Sequence, residues 1–145
     1  MYCGRTKKDS SIEDGAEFVP FEELLARSDF VLVTCSYTED MKHMFNKKSF
    51  QLMKKSSILI NTSRGGIIDQ DDLVEALKAG DIYAAGLDVM TPEPLPVDHP
   101  LTKLDNCVLI PHLGSATIQT RNKMVEMTVE NIIYGFERGV MLAEL

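Results

Sequence analysis

Three residues in this sequence have types and positions suited to joint chemistry. Arg64, Glu93 and His112 each fall just past the carboxyl end of a strand-like apolar run. In open parallel α/β sheets that edge is where ligands bind, so three separate stretches would bring an anion clamp, a carboxylate and an imidazole to one crevice. A guanidinium placed there can hold a carboxylate through two parallel charge-assisted hydrogen bonds. Gly65 and Gly66 beside it would let a ligand approach the backbone. His112, in IPHLGSAT, would sit where it can give a proton to a substrate oxygen, and Glu93, in TPEPLP, would orient the imidazole and favour its charged form. Taken singly, each has a plainer reading: an arginine bonding loop carbonyls, a structural histidine, a solvated loop acid. Together they suit acid–base chemistry on a small acid.

Four runs would position them: Asp29 to Cys35, Ser57 to Thr62, Ile82 to Asp88 and Asn106 to Ile110. Their apolar character is continuous rather than alternating, which predicts strands of a parallel sheet covered on both faces. Helical patterns lie between them, and the β-α-β-α rhythm predicts a doubly wound α/β architecture. Phe21, Leu24 and Leu25 form a short stripe after Pro20. Asn46 can cap a helix with Phe45 and Phe50 at staple positions, and Asp69 can cap another with Leu73 and Leu77 inward and Gly80 as its stop. The longest helix is expected from about Ser115 to Arg138, with Val125, Val129, Ile132, Ile133 and Phe136 on one face and Gly139 ending it. Val89 to Asp105 reads as a long loop stiffened by Pro92, Pro94, Pro96 and Pro100. Tyr2 and Cys3 look like the last residues of a strand.

With 145 residues and 44% hydrophobic content, one domain with a real core is expected. A formal net charge of -7 disfavours nucleic acid and anionic lipid as partners, Arg5, Lys7 and Lys8 being a small basic exception. Cys3, Cys35 and Cys107 form no CxxC pair, which argues against a disulfide framework or a zinc site and for a reducing setting. No apolar stretch nears the roughly 20 residues of a membrane span. A cytoplasmic location is the expectation, and no metal is expected. His43 and His99 stand in polar, turn-like surroundings and are expected to face solvent.

The succession SRGGIIDQDDLVEALKAGDIYAAGLDV, then PEPLP, then PHLGSAT resembles the carboxyl-terminal half of the D-2-hydroxyacid dehydrogenase family, over essentially the whole chain. Within that family the similarity is greatest to glyoxylate reductase/hydroxypyruvate reductase enzymes, through NTSRGGIIDQDDL, PEPLPVDHPL and PHLGSATIQTRNKM. The resemblance implies a Rossmann-like, partial doubly wound sheet and reduction of glyoxylate or hydroxypyruvate to a D-2-hydroxy acid. Arg64 would bind the 2-oxo acid carboxylate and polarise its carbonyl. His112 would donate the proton, and Glu93 would pair with it and keep it protonated near neutral pH. Asp88 would contact the nicotinamide amide, and Ser36, Thr62 and Gly114 would line the cofactor crevice. Full-length relatives are typically homodimers.

Cofactor choice is read from YCGRTKK. An acid at the end of the second strand would accept from a ribose 2'-hydroxyl, whereas an arginine can neutralise a 2'-phosphate. Arg5, with Thr6, therefore favours NADP(H) over NAD(H); a solvated basic turn is the bland alternative. The chain departs from the family in lacking the substrate domain and the first βα unit with its glycine-rich turn, which would hold the pyrophosphate at a helix amino terminus. The expectation is a fragment, residues 1 to 145 being the carboxyl-terminal part of a nucleotide-binding domain, with little activity alone. Two other readings stay open: a nucleotide-sensing, corepressor-type binding protein of the same fold, and an inert partial domain.

Overall fold

The computed structural model describes residues 1 to 141 and residue 143. It divides into two compact units, Met1–Pro111 and a second that begins at His112. The first holds four parallel strands, β1 (Phe30–Val33), β2 (Ile58–Asn61), β3 (Ala84–Leu87) and β4 (Cys107–Leu109), laid side by side in sequence order. Each lies inside a run expected to be a strand. It also holds the helices α1 (Ser10–Glu13), α2 (Phe21–Arg27), α3 (Lys47–Leu52) and α4 (Gln70–Ala79). The helix α5 (Ile118–Arg138) belongs to the second unit.

Local chemistry fixes the helix ends. The Asn46 side chain accepts from the backbone of Lys48 and Ser49 while the Ser49 hydroxyl accepts from Asn46 N, a reciprocal capping box that starts α3. Asp69 accepts from Asp72 N to start α4, Asp71 and Asp72 lie in its first turn where the helix dipole favours them, and Gly80 closes it at φ 71°. Leu73 and Leu77 point inward as expected. Thr117 caps α5 about one turn later than the periodicity suggests, and Gly139 ends it at φ 70°.

Sheet register explains where the core sits. Val31, Leu59 and Ala85 form one aligned row and Val33, Asn61 and Leu87 another, and all six are buried. The intervening row of Phe30, Ile58 and Ala84, and the row of Leu32, Ile60, Gly86 and Val108, lie on the opposite face. That face is not covered within the first unit: Phe30 is 68% exposed, Leu32 58% and Val108 66%. Within the first unit, then, the helices cover one face of the sheet. Strand order runs one way across the sheet, and right-handed crossovers that all step in one direction put their helices on one face. Helices α2, α3 and α4 accordingly pack in succession over the buried side.

Further expectations resolve locally. Tyr2 makes one isolated parallel bridge with Phe18, through Tyr2 N to Glu17 O at 2.9 Å and Val19 N to Tyr2 O at 3.0 Å, and Cys3 is not in a strand. The Val89–Asp105 loop carries a short 3-10 helix, Pro100–Lys103, started by His99, whose Nδ1 accepts from Leu101 N at 3.2 Å. His99 is therefore half-buried and structural rather than solvent-facing. His43 Nδ1 lies 3.1 Å from Asp69 Oδ2. Within the second unit itself none of the described residues covers the apolar face of α5, with Val125 64% and Phe136 88% exposed. Among the described residues no helix is long and apolar enough to cross a membrane, and no group of three or more potential metal ligands occurs. Cys3, Cys35 and Cys107 are free thiols; burial pushes Cys107 up to about 11.

Candidate active site

All four strands are parallel, so the residues that follow them collect at one edge of the first unit in strand order: Ser36 after β1, Thr62 and Arg64 after β2, Asp88 and Glu93 after β3. The Arg64 turn is built from inside. Asn61, the last residue of β2, is fully buried, and its Nδ2 donates to Arg64 O at 3.0 Å while its Oδ1 accepts from Ser63 N at 3.0 Å. Its own carbonyl accepts from Asp88 N at 3.0 Å, joining the turn to the end of β3. Ser63 Oγ donates to Cys35 O, which ties the turn to the loop after β1. The Arg64 side chain is exposed at the edge, with Nη1 donating to Ser63 O at 2.7 Å.

Gly65 brings this turn against the loop that carries Glu93. A Cβ at Gly65 would lie 2.1 Å from Met90 O and 2.2 Å from its carbonyl carbon. The close approach that Gly65 permits is therefore to the protein's own chain, not to a ligand. Gly66 faces the Tyr37 ring, 3.1 Å from where its Cβ would stand. The far loop is pinned in turn: Glu93 Oε1 accepts from Met90 N at 2.8 Å, and the Gln70 amide brackets Thr91, donating to its carbonyl at 2.6 Å and accepting from its N–H at 2.7 Å. Arg64 and Glu93 thus belong to one interlocked pair of loops. Asp88 is buried at 5% exposure, and Thr62 turns its hydroxyl toward Val33 O at 3.5 Å. Arg5 and Thr6 are exposed beyond the Tyr2–Cys3 segment.

His112 opens the second unit three residues beyond β4. Its backbone is left-handed, φ 54°, a conformation uncommon for a residue with a side chain and one found disproportionately at functional sites. Gly114 lies in the turn that Ala116 N closes onto Leu113 O at 2.9 Å, just ahead of the Thr117 cap of α5.

Sequence reasoning passed over Asn61, Ser63 and Gln70. The first had a signal: an amide at the end of the apolar run ILIN is a buried polar group that must be satisfied. Asn61→Ala is expected to cost about 2 kcal/mol, because the Arg64 carbonyl and Ser63 N–H lose their partner inside the protein. Urea unfolding of the two forms measures this, and superimposable curves would show that the amide does not hold the turn.

Residues 1 to 114 match the D-isomer specific 2-hydroxyacid dehydrogenase, NAD binding domain. The chain belongs to that family. It is 49% identical to the glyoxylate reductase/hydroxypyruvate reductase of Mus musculus and 48% identical to that of Homo sapiens, in both cases over all of this chain and 44% of the relative. A glyoxylate reductase of Korarchaeum cryptofilum is 49% identical over 95% of this chain and 41% of its own length. Among solved structures, a glyoxylate reductase from Paecilomyes thermophila superposes with TM-score 0.93 at 34% identity, over 99% of this chain and 44% of that one. An NADPH-dependent glyoxylate/hydroxypyruvate reductase from Sinorhizobium meliloti, in complex with NADP and malonate, superposes with TM-score 0.92 at 31% identity, again over 99% and 44%. This 2-hydroxyacid dehydrogenase chain therefore spans less than half the length of the relatives it matches.

Proposed function

We propose that this chain supplies the acid–base and much of the cofactor-binding part of a reductase that converts glyoxylate or hydroxypyruvate to a D-2-hydroxy acid with NADPH. The observation that carries the reading is the interlock of the Arg64 and Glu93 loops at the carboxyl edge through Asn61, Gly65, Gln70 and Met90. Such internal bracing is what a charged pair needs if its positions are to be fixed before a ligand arrives. The relatives' reductase names and the NADP in one of them support the choice of chemistry.

The donors suit two ends of such a dinucleotide. Arg5 and Thr6, exposed just beyond the bridge at Tyr2, suit an adenosine 2'-phosphate, and Asp88, with Ser36, Thr62 and Gly114, suits the nicotinamide end. No glycine-rich turn for the pyrophosphate occurs in the sequence. When bound, the cofactor supplies hydride. The chain's own work is to hold the 2-oxo acid carboxylate on the Arg64 guanidinium, orient the His112 imidazole through Glu93, and pass a proton from that imidazole to the developing alkoxide.

The chain alone is expected to turn glyoxylate over slowly or not at all, because Arg64 would act opposite residues that it does not contain. Calorimetric titration with NADPH and NADH, alongside a glyoxylate assay and circular dichroism, tests both statements. NADPH-selective binding with little turnover supports the proposal; robust turnover by the chain alone would refute its incompleteness, and no binding by a folded chain would refute its cofactor role. Arg5→Asp is expected to move the NADPH/NADH preference toward NADH by about tenfold, the loss of one charge-assisted contact. An unaltered ratio would remove Arg5 from the phosphate site.

A further inference from the structure

Tyr2 closes the chain on itself through backbone and side chain alike. Its N–H donates to Glu17 O at 2.9 Å and its carbonyl accepts from Val19 N at 3.0 Å. Its phenol donates to Glu13 Oε1 and accepts from Lys8 N at 2.8 Å. The ring is placed by the Phe18 ring across the bridge, 5.2 Å between centroids. Inside these ties lies an exposed loop that carries Arg5, Lys7 and Lys8. Glu13 is the second anchor. It ends α1, a single turn of four residues that could not persist by itself. Its side chain is only 10% exposed, with one carboxylate oxygen on the phenol and the other 3.8 Å from Lys7 Nζ. Asp14 at φ 46° and Gly15 at φ 80° then turn the chain back toward Phe18.

Like charges in an exposed loop repel, and a loop that becomes ordered only when an anion arrives loses that ordering cost from its affinity. The phenol fixes the loop at Lys8, and the Glu13 carboxylate draws the Lys7 ammonium toward α1, leaving Arg5 and Thr6 at the exposed end. We propose, given Arg5 at the adenosine 2'-phosphate, that Tyr2 and Glu13 are positioning residues for that site, holding residues 3 to 8 in the shape that a phosphate monoester meets. This role is separate from charge. A carboxylate beside an anion site repels the anion, so the charge of Glu13 by itself weakens phosphate binding. Only by holding the phenol does Glu13 strengthen it. The two effects have opposite signs, and substitution separates them.

The test titrates this chain with adenosine 2',5'-bisphosphate and with adenosine 5'-monophosphate, which differ only in the 2'-phosphate, and follows the backbone amides by NMR. The wild-type chain should prefer the bisphosphate by about tenfold. Tyr2→Phe keeps the ring on Phe18 and removes the hydroxyl, so the preference should fall about fivefold, the contribution of one hydrogen bond, with affinity for the monophosphate unchanged. The Lys8 amide should exchange slowly in the wild type and fast in this variant. Glu13→Ala should lower the preference likewise, whereas Glu13→Gln, whose amide oxygen still accepts from the phenol, should keep it. Circular dichroism confirms that each variant folds. Tighter bisphosphate binding by Glu13→Ala would show that the carboxylate acts through charge alone and would overturn the proposal, as would a fast Lys8 amide in the wild type. A preference lost in Arg5→Asp but kept in Tyr2→Phe would leave the cofactor reading standing and overturn the positioning role. A preference unaltered in both variants, or absent from the wild type, would overturn the two together.

Discussion

In a full-length protein in which this chain follows the amino-terminal part of its mouse relative, His112→Ala is expected to lower kcat for glyoxylate by about 10²- to 10⁴-fold, with little change in KM. The range is what a positioned proton donor contributes when its removal leaves binding and hydride delivery intact. Arg64→Ala should act in the other sense, chiefly raising KM, because the proposed bidentate clamp on the substrate carboxylate would form before the reaction begins. Since His112 has φ 54°, alanine also changes backbone preference at that point. His112→Asn controls for this, because asparagine tolerates the left-handed region. If the asparagine variant keeps wild-type kcat, the imidazole is not the donor, whatever alanine does.

Gly65→Ala is expected to destabilise the chain by about 3 kcal/mol in urea unfolding, the upper range for inserting a methyl group into a packed interior. The new carbon would meet backbone atoms, Met90 O at 2.1 Å and its carbon at 2.2 Å, so no rotamer can relieve the clash. Either the Arg64 turn or the Met90–Glu93 loop must move, and with it the spacing of the proposed pair. Gly66→Ala is the comparison: its Cβ meets only the Tyr37 ring, a side chain able to give, so the cost should be below about 1 kcal/mol. Equal effects at the two positions would show that the turn is looser than its contacts imply. Neither glycine has a positive φ, so what Gly65 contributes is space rather than conformational freedom.

Much of the architecture was legible in the residues because it depends on local rules. Asn46 with Ser49, Asp69 with Asp72, and the glycines at 80 and 139 fix helix ends within a few residues of chain. The four apolar runs announced the strands, and the motifs around Arg64, Glu93 and His112 announced the family that residues 1 to 114 match. Face coverage was not legible. An apolar run such as FVLV reads the same whether one or both faces are packed, and the one-way strand order leaves Phe30 and Leu32 on the face that the first unit's own helices do not cover.

The candidate site divides along the same line. By itself the sequence determined which residues could do chemistry and that Arg64 and Glu93 follow parallel strands, since strand polarity is set by the alternation of strands and helices. Only the tertiary structure decided how they are held: the buried Asn61 amide, the Gln70 bracket on Thr91, and the contact between Gly65 and Met90 join segments far apart along the chain. Periodicity and capping act over a few neighbouring residues, whereas close packing and buried hydrogen bonds are settled by whatever segments the fold brings together.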